Sequence, residues 1–193
     1  MELTTELLLS AYSQGMFPMA TSDGRIRWYS PDPRAIIPLD RFHVSRSLRR
    51  LIRAATYTVT VDAAFPDVIR ACAQPAAGRE ETWISPEIVA AYERLHEIGF
   101  AHSVETWLDG QLVGGLYGVS LRGLFAGESM FSRRPSASKV ALFFLVEHLR
   151  LRKFLFLDVQ FQTTHLKSLG AVELARSDYL NLLGKAMAIH ARF

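Results

Sequence analysis

Apolar positions along the chain follow two rhythms, one helical and one alternating. Leu3, Leu7, Leu8, Ala11 and Tyr12 recur at helical spacing, and Gly15 follows as a stop, so residues 2–14 are predicted to form a helix. Residues 18–40 are rich in proline and read as loop, with one short extended piece at 26–29. In Ser30-Pro31-Asp32-Pro33 each proline restricts the residue before it, which excludes helix and inner strand. Ser45 is placed to N-cap a helix reaching residue 55. Residues 57–61 alternate and are β-branched, as a strand requires, and 64–73 form a short helix. A polar loop is expected at 74–81. Ser85-Pro86-Glu87 then opens a helix that ends at Gly99, with Ser as cap and Pro in the first turn.

The second half alternates more clearly. Extended segments are predicted at 102–108, 112–119 and 124–130, the first two joined by the hairpin signal Asp109-Gly110. Ser136 opens a helix through about residue 150. A strand at 154–160, a short helix at 163–169 stopped by Gly170, and a brief strand at 172–175 follow. Ser177-Asp178 caps a last helix. A meander followed by helix, strand and helix predicts an α+β class with one mixed central sheet flanked by helices. The expected division is a reduced N-terminal subdomain with a basic helix over residues 1–62 and a catalytic domain over 63–193.

Composition narrows the setting. Of the 193 residues, 49% are hydrophobic and 21% charged, which fits a folded core and excludes a disordered chain. The single Cys72 rules out an internal disulfide and a multi-cysteine metal site, and fits a reducing compartment. Its apolar helix face makes it a packing residue. The N-terminus lacks the basic start and small-residue cleavage site of a signal peptide. No apolar run approaches the roughly 20 residues of a membrane span. A soluble cytoplasmic protein is expected.

The net charge of +3 is too mild to indicate a nucleic-acid partner by itself. Its placement says more. Arg46, Arg49, Arg50 and Arg53 fall at steps of three and four, on one stripe of the basic helix. Like charges at that spacing repel unless an anion faces them, and a phosphate backbone is one such anion. A solvated helix face is the alternative.

Several familiar chemistries are missing. The chain has no phosphate-loop signature, no dinucleotide glycine fingerprint, no His-Glu-x-x-His and no Gly-x-Ser-x-Gly. His96, His102, His148 and His165 are scattered, none at metal spacing, so structural or surface roles are expected. Asp158 and Gln160 are more informative. Residues i and i+2 of a strand share a face, so Phe154 and Phe156 give way to an acid and an amide at the strand's end. Such a pair can hydrogen-bond each other and one substrate, or simply cap the next turn. Glu128 closes the apolar run Leu124-Phe125-Ala126. It is either paired, with Arg133 or Arg134 as partners, or a ligand for a cation or amine.

Longer blocks carry a resemblance. They are Trp28-Tyr29-Ser30-Pro31-Asp32-Pro33-Arg34-Ala35, Phe42-His43-Val44-Ser45-Arg46-Ser47, Glu81-Thr82-Trp83-Ile84, Ala91-Tyr92-Glu93-Arg94-Leu95-His96, Val113-Gly114-Gly115-Leu116-Tyr117-Gly118, Phe125-Ala126-Gly127-Glu128-Ser129-Met130-Phe131-Ser132-Arg133, Leu157-Asp158-Val159-Gln160 and His165-Leu166-Lys167-Ser168-Leu169-Gly170-Ala171. In this order, from about Leu8 to Tyr179, the chain closely resembles the leucyl/phenylalanyl-tRNA–protein transferases. The resemblance implies an N-acetyltransferase-like fold and a leucyltransferase. It moves Leu, Phe or Met from aminoacyl-tRNA to the α-amino group of proteins that begin with Arg or Lys, marking them for degradation. It implies no metal and no cofactor, and a monomer is expected.

The resemblance also implies roles. Asp158, Gln160 and Glu128 are catalytic, with Gln160 orienting the amine while Asp158 fixes it or takes the proton. Leu116, Phe125, Ser129 and Met19 belong to the amino-acid pocket, Trp83, Tyr12 and Tyr92 to the terminal adenosine, and Arg46, Arg49, Arg50 and Arg53 to the acceptor stem. The chain departs from the family pattern in a shorter N-terminal region, in Met19 where an aromatic is frequent, and in Leu116 where Met is frequent. These departures leave room for a transferase with acidic acceptors, with N-terminal Asp or Glu. A non-catalytic tRNA- or peptide-binding module is disfavoured by the presence of all three polar residues. A CoA-dependent acetyltransferase would need a glycine-rich pyrophosphate loop, and Ser132-Arg133-Arg134-Pro135 does not supply one.

Overall fold

The computed structural model describes residues 3–75 and 82–193. Glu2, and most of the polar loop expected at 74–81, lie outside the described residues. Local signals account for most elements. Helix α1 (Thr5–Ser13) starts at Thr4, whose hydroxyl accepts the Leu7 N–H at 3.2 Å. Helices α2 (Arg46–Arg53) and α4 (Pro86–Glu97) start at Ser45 and Ser85, whose hydroxyls accept the Leu48 and Ile88 N–H groups. Helix α3 (Phe65–Ala73) lies between them. Strands β5 (Ala101–Leu108), β6 (Gln111–Leu121) and β7 (Leu124–Ser132) form the meander. Helix α5 (Ala137–Leu151), β8 (Phe156–Gln160), α6 (Thr164–Ser168), β9 (Val172–Leu174) and α7 (Arg176–Met187) complete the chain.

Two helix starts differ from expectation. Ser136 has a left-handed backbone (φ 62°) and its side chain makes no cap bond, and α7 begins after Ala175 without a side-chain cap. The larger departure is in residues 18–40. They contain β1 (Phe17–Ala20) and β2 (Ile26–Tyr29), a two-stranded hairpin, and β3 (Arg34–Pro38). Arg34, Ala35, Ile36 and Ile37 are all buried, so β3 shows no apolar–polar alternation to read.

The main sheet has seven strands in the order β4-β5-β6-β7-β8-β3-β9, with β4 spanning Thr58–Val61. An inner strand thus comes from the segment before residue 63. All neighbours run antiparallel except β7 and β8, which are parallel and joined by α5 as the crossover. Helices cover both faces. On one, α1, α3 and α4 pack through Tyr12, Phe65, Ile88 and Tyr92 onto Tyr117 and Ala126, and α7 adds Tyr179 and Leu183 over Phe156. On the other, Leu142, Leu145 and Leu149 of α5 pack on Leu116, Phe125 and Leu157. Among the described residues no helix is long and apolar enough to cross a membrane.

Candidate active site

The parallel pair β7–β8 is where the sheet opens. Its register runs Leu124↔Phe156, Phe125↔Leu157, Ala126↔Asp158 and stops there. Strand β7 continues along β6 to Ser132, while β8 turns away after Gln160. The wedge between them holds a cavity of about 240 Å³. Its lining comes from both faces of the sheet, as a gap between strands requires. Leu116, Met130, Leu142, Leu145, Leu157 and Leu166 make it apolar, and Glu128, Ser129, Gln160, Thr163 and His165 add polar groups.

The end of β8 is shaped by Asp158. Its Oδ1 accepts the backbone N–H of Gln160 at 2.9 Å, and Val159 O accepts the Phe161 N–H at 2.7 Å. These two bonds hold Gln160 in the left-handed region (φ 59°), which a residue with a Cβ adopts at a cost. The turn sets the Gln160 side chain at the cavity wall. It is 6% exposed, and its Nε2 is buried without a hydrogen-bond partner among the described residues. A buried amide donor left unpaired costs about 1–3 kcal/mol, so its presence points to a ligand.

Asp158 itself does not line the cavity. It is fully buried, and its oxygens are occupied. Arg34 donates to it twice, Nε to Oδ1 at 3.0 Å and Nη2 to Oδ2 at 2.7 Å, and Tyr179 donates its hydroxyl to Oδ2 at 2.8 Å. Arg34 is 1% exposed, gives Nη1 to Gly15 O at 3.0 Å, and lies between the Phe17 and Tyr179 rings, 4.7 Å from each centroid. Gly15 (φ +77°) lacks a Cβ where one would meet the Tyr179 ring at 2.9 Å. Burial, then the Asp158 charge, pushes the Tyr179 phenol far up, so it remains a donor. The expected side-chain bond between Asp158 and Gln160 is thereby corrected. The two are joined through the Gln160 backbone.

Glu128 stands on the opposite wall. Its Oε1 accepts the Tyr12 hydroxyl at 2.7 Å, and the Tyr12 and Tyr92 hydroxyls bond each other. Burial raises the Glu128 carboxyl to about 8, with Asp158 adding to it and Tyr12 and Arg34 opposing it. At neutral pH Glu128 is mainly protonated. Arg133 is not its partner. That guanidinium donates to Leu112 O and lies over the Phe131 ring.

Three other assignments change. Tyr12 and Tyr92 are 1% and 0% exposed, with no ring face open to a base, and they serve Glu128 through their hydroxyls. Phe125 is 0% exposed and packs in the core against Phe193 at 5.2 Å, one layer behind the cavity. Met19 sits on β1 opposite Arg27 and packs into the α1–α4 core, away from the cavity that Leu116 and Ser129 line. Trp83 is half-buried and lines a separate open cleft with Ala20 and Thr21, close to Met19. Arg46, Arg49, Arg50 and Arg53 are exposed, and none forms an ion pair among the described residues. Arg34 and Tyr179 are the residues that sequence reasoning missed. Arg34 lies in the block Trp28–Ala35, but nothing local pairs it with Asp158.

The family model described as leucyl/phenylalanyl-tRNA protein transferase matches residues 36–184, and the model for that enzyme's N-terminal domain matches residues 1–32. The chain belongs to the leucyl/phenylalanyl-tRNA–protein transferase family. That makes it an enzyme of the transferase class. A relative of that name from Herpetosiphon aurantiacus is 55% identical over 192 residues, covering 99% of this chain and 98% of the relative. Another, from Rubrobacter xylanophilus, is 52% identical over 194 residues and covers both chains fully. Among solved structures, L-PGS from Bacillus licheniformis aligns with 84% of this chain and 66% of its own, at 13% identity and TM-score 0.49. A GCN5-related N-acetyltransferase from Kribbella flavida aligns with 83% and 57%, at 13% identity and TM-score 0.45. Within the transferase, the two family models meet between residues 32 and 36, just before β3.

Proposed function

We propose that the enzyme moves Leu, Phe or Met from aminoacyl-tRNA to the α-amino group of proteins beginning with Arg or Lys. In the cell this step marks such proteins for degradation in the cytoplasm, and a monomer carries it out. The observation that bears most weight is the Gln160 amide, unpaired among the described residues, which lines an apolar cavity with Glu128 on its opposite wall. Aminolysis of the tRNA ester forms a C–N bond, breaks the ester C–O bond and releases the ribose hydroxyl with a proton. It needs a positioned amine and donors for the carbonyl oxygen as charge develops. Gln160 supplies both functions, its carbonyl accepting from the amine and its Nε2–H donating to the ester oxygen. Protonated Glu128 adds a second donor. Asp158, held by Arg34 and Tyr179, acts as a positioning residue that aims Gln160.

The apolar wall from Leu116 to Leu166 suits a leucyl, phenylalanyl or methionyl side chain. A missing methylene there is worth only about 1–3 kcal/mol, so discrimination against β-branched donors rests on shape near Cβ. Helix α2 packs on α5, whose other residues line the cavity. This contact supports assigning the arginine stripe to the acceptor stem, gripped through phosphates without reading bases. Trp83 is the aromatic left with an accessible surface for the terminal adenosine.

The test is a transfer assay with radiolabelled Leu-, Phe- and Met-tRNA against peptides beginning with Arg, Lys, Asp and Glu, with acetyl-CoA as a control donor. Transfer of Leu or Phe to the Arg and Lys peptides alone is expected. Transfer to the Asp and Glu peptides instead overturns the acceptor assignment, and no transfer from tRNA overturns the function.

A further inference from the structure

The cavity is lined by an imidazole that the proposed reaction leaves idle. His165 lies in α6, one residue after the start of the helix, and lines the cavity with Glu128, Ser129, Gln160 and Thr163. Thr163 caps α6 by accepting the Leu166 N–H at 3.1 Å, and Leu166 is packed into the α5 core. The turn that carries the imidazole is therefore anchored on both sides. The ring is only partly exposed and makes no hydrogen bond with any described residue.

The attacking amine must lose a proton as the C–N bond forms, and few groups here can receive it. Asp158 is outside the cavity with four donors on its oxygens. Gln160 is an amide and has no useful basicity. Glu128 already holds its proton at neutral pH, because burial raises it to about 8. We infer that His165 accepts the proton of the attacking α-amine, as the general base of the transfer. Resting on the aminoacyl-tRNA reading above, this adds the missing proton path. The proton passes from nitrogen to imidazole as the tetrahedral adduct forms, and from imidazolium to the ribose oxygen as the C–O bond breaks. No other co-reactant is needed.

The surroundings suit that duty. Burial and the Lys139 ammonium of α5 hold the imidazole below its ordinary value, so it is neutral and ready to accept at pH 7. The other titratable neighbours are Glu128 across the cavity on β7, the Tyr117 phenol on β6 and Lys167 on α6 itself. Arg41 and His43 lie at the far end of α6, against Leu169 and Gly170. Strand β8 lines the cavity with Leu157, Val159 and the neutral Gln160, none of them titratable.

The experiment measures single-turnover transfer at saturating acceptor peptide, from pH 5 to 9, for wild type, His165→Ala and His165→Gln. Expressed per neutral acceptor amine, which itself titrates at about 7.7–8.0, the wild-type rate should show an acidic limb with a midpoint below 6.5, the ordinary histidine value. Both variants should lose about 10²–10⁴-fold in rate and lose that limb. Added imidazole should restore part of the His165→Ala rate with saturation, and none of the His165→Gln rate. Loss under three-fold in either variant overturns the inference, as does a loss that leaves the acidic limb in place and does not respond to imidazole. If wild type itself transfers nothing from aminoacyl-tRNA, the functional reading fails instead, so the two failures are distinguishable.

Discussion

Replacing Arg34 by methionine leaves a carboxylate at the centre of the molecule with half its donors gone. Asp158 keeps the Tyr179 hydroxyl and the Gln160 N–H, and loses the two guanidinium bonds at 3.0 and 2.7 Å. Gly15 O loses its donor as well. Each charge-assisted bond contributes about 1.5–3 kcal/mol, and breaking a buried pair from one side costs about 3–5 kcal/mol because the remaining charge stays dry. For a chain of this size each kcal/mol corresponds to about 2–4 °C, so a fall of roughly 6–20 °C in melting temperature is expected. Urea titration of wild type, Arg34→Met, Asp158→Leu and the double variant forms a cycle. The double variant should regain part of the stability, since no buried charge is left unpaired, although the Tyr179 hydroxyl, the Gln160 N–H and Gly15 O lose their partners. It should not regain transfer, because the Gln160 N–H has lost the oxygen that fixes its turn. A loss below 1 kcal/mol for Arg34→Met refutes the assigned role of the pair, and so does a double variant that transfers at the wild-type rate.

Three further outcomes follow from the same geometry. Gln160→Gly removes an unpaired buried amide at a left-handed position (φ 59°), so stability in urea should rise by about 1 kcal/mol while single-turnover transfer is lost; a fall in stability refutes the strain. Glu128 titrates near 8 in the folded protein and near 4.5 in the open chain. Between those values the unfolded state gives up a proton that the folded state keeps, so stability declines as pH rises from about 4.5 to 8. Glu128→Gln should flatten that decline, leaving the variant more stable than wild type at pH 8, as thermal melts across the range will show. The Arg49→Glu, Arg53→Glu double variant should raise KM for tRNA and reduce the log–log salt slope of binding by roughly 0.7–0.9 for each phosphate no longer neutralised. An unchanged slope removes the stripe from the interface.

What the sequence made legible was local. The hydroxyls of Ser45 and Ser85 cap the helices they precede, and Asp109-Gly110 turns the hairpin. Each needs only neighbours within a few positions. Strand β3 escaped notice because both its faces are covered, so no alternation marked it among the prolines. The site was hidden in another way. Arg34 reaches Asp158 across 124 positions, and Tyr12 reaches Tyr92 across 80 and Glu128 across 116. An aromatic with a hydroxyl on an amphipathic helix looks the same whether its polar end meets water, a base or a buried carboxylate.

The Asp-x-Gln spacing was readable, but its meaning depended on where the strand ends. At the edge of a continuous sheet, the same two residues would cap a turn. Here β8 ends where β7 has already left it, so the bend that Asp158 imposes sets Gln160 at the wall of an open wedge. One carboxylate thus serves the fold and the chemistry together. The arginine that neutralises it stabilises the sheet and, through the same oxygen atoms, fixes the direction of the amide. For that reason stability and transfer should fall together when Arg34 alone is removed, and part company when Asp158 is removed with it.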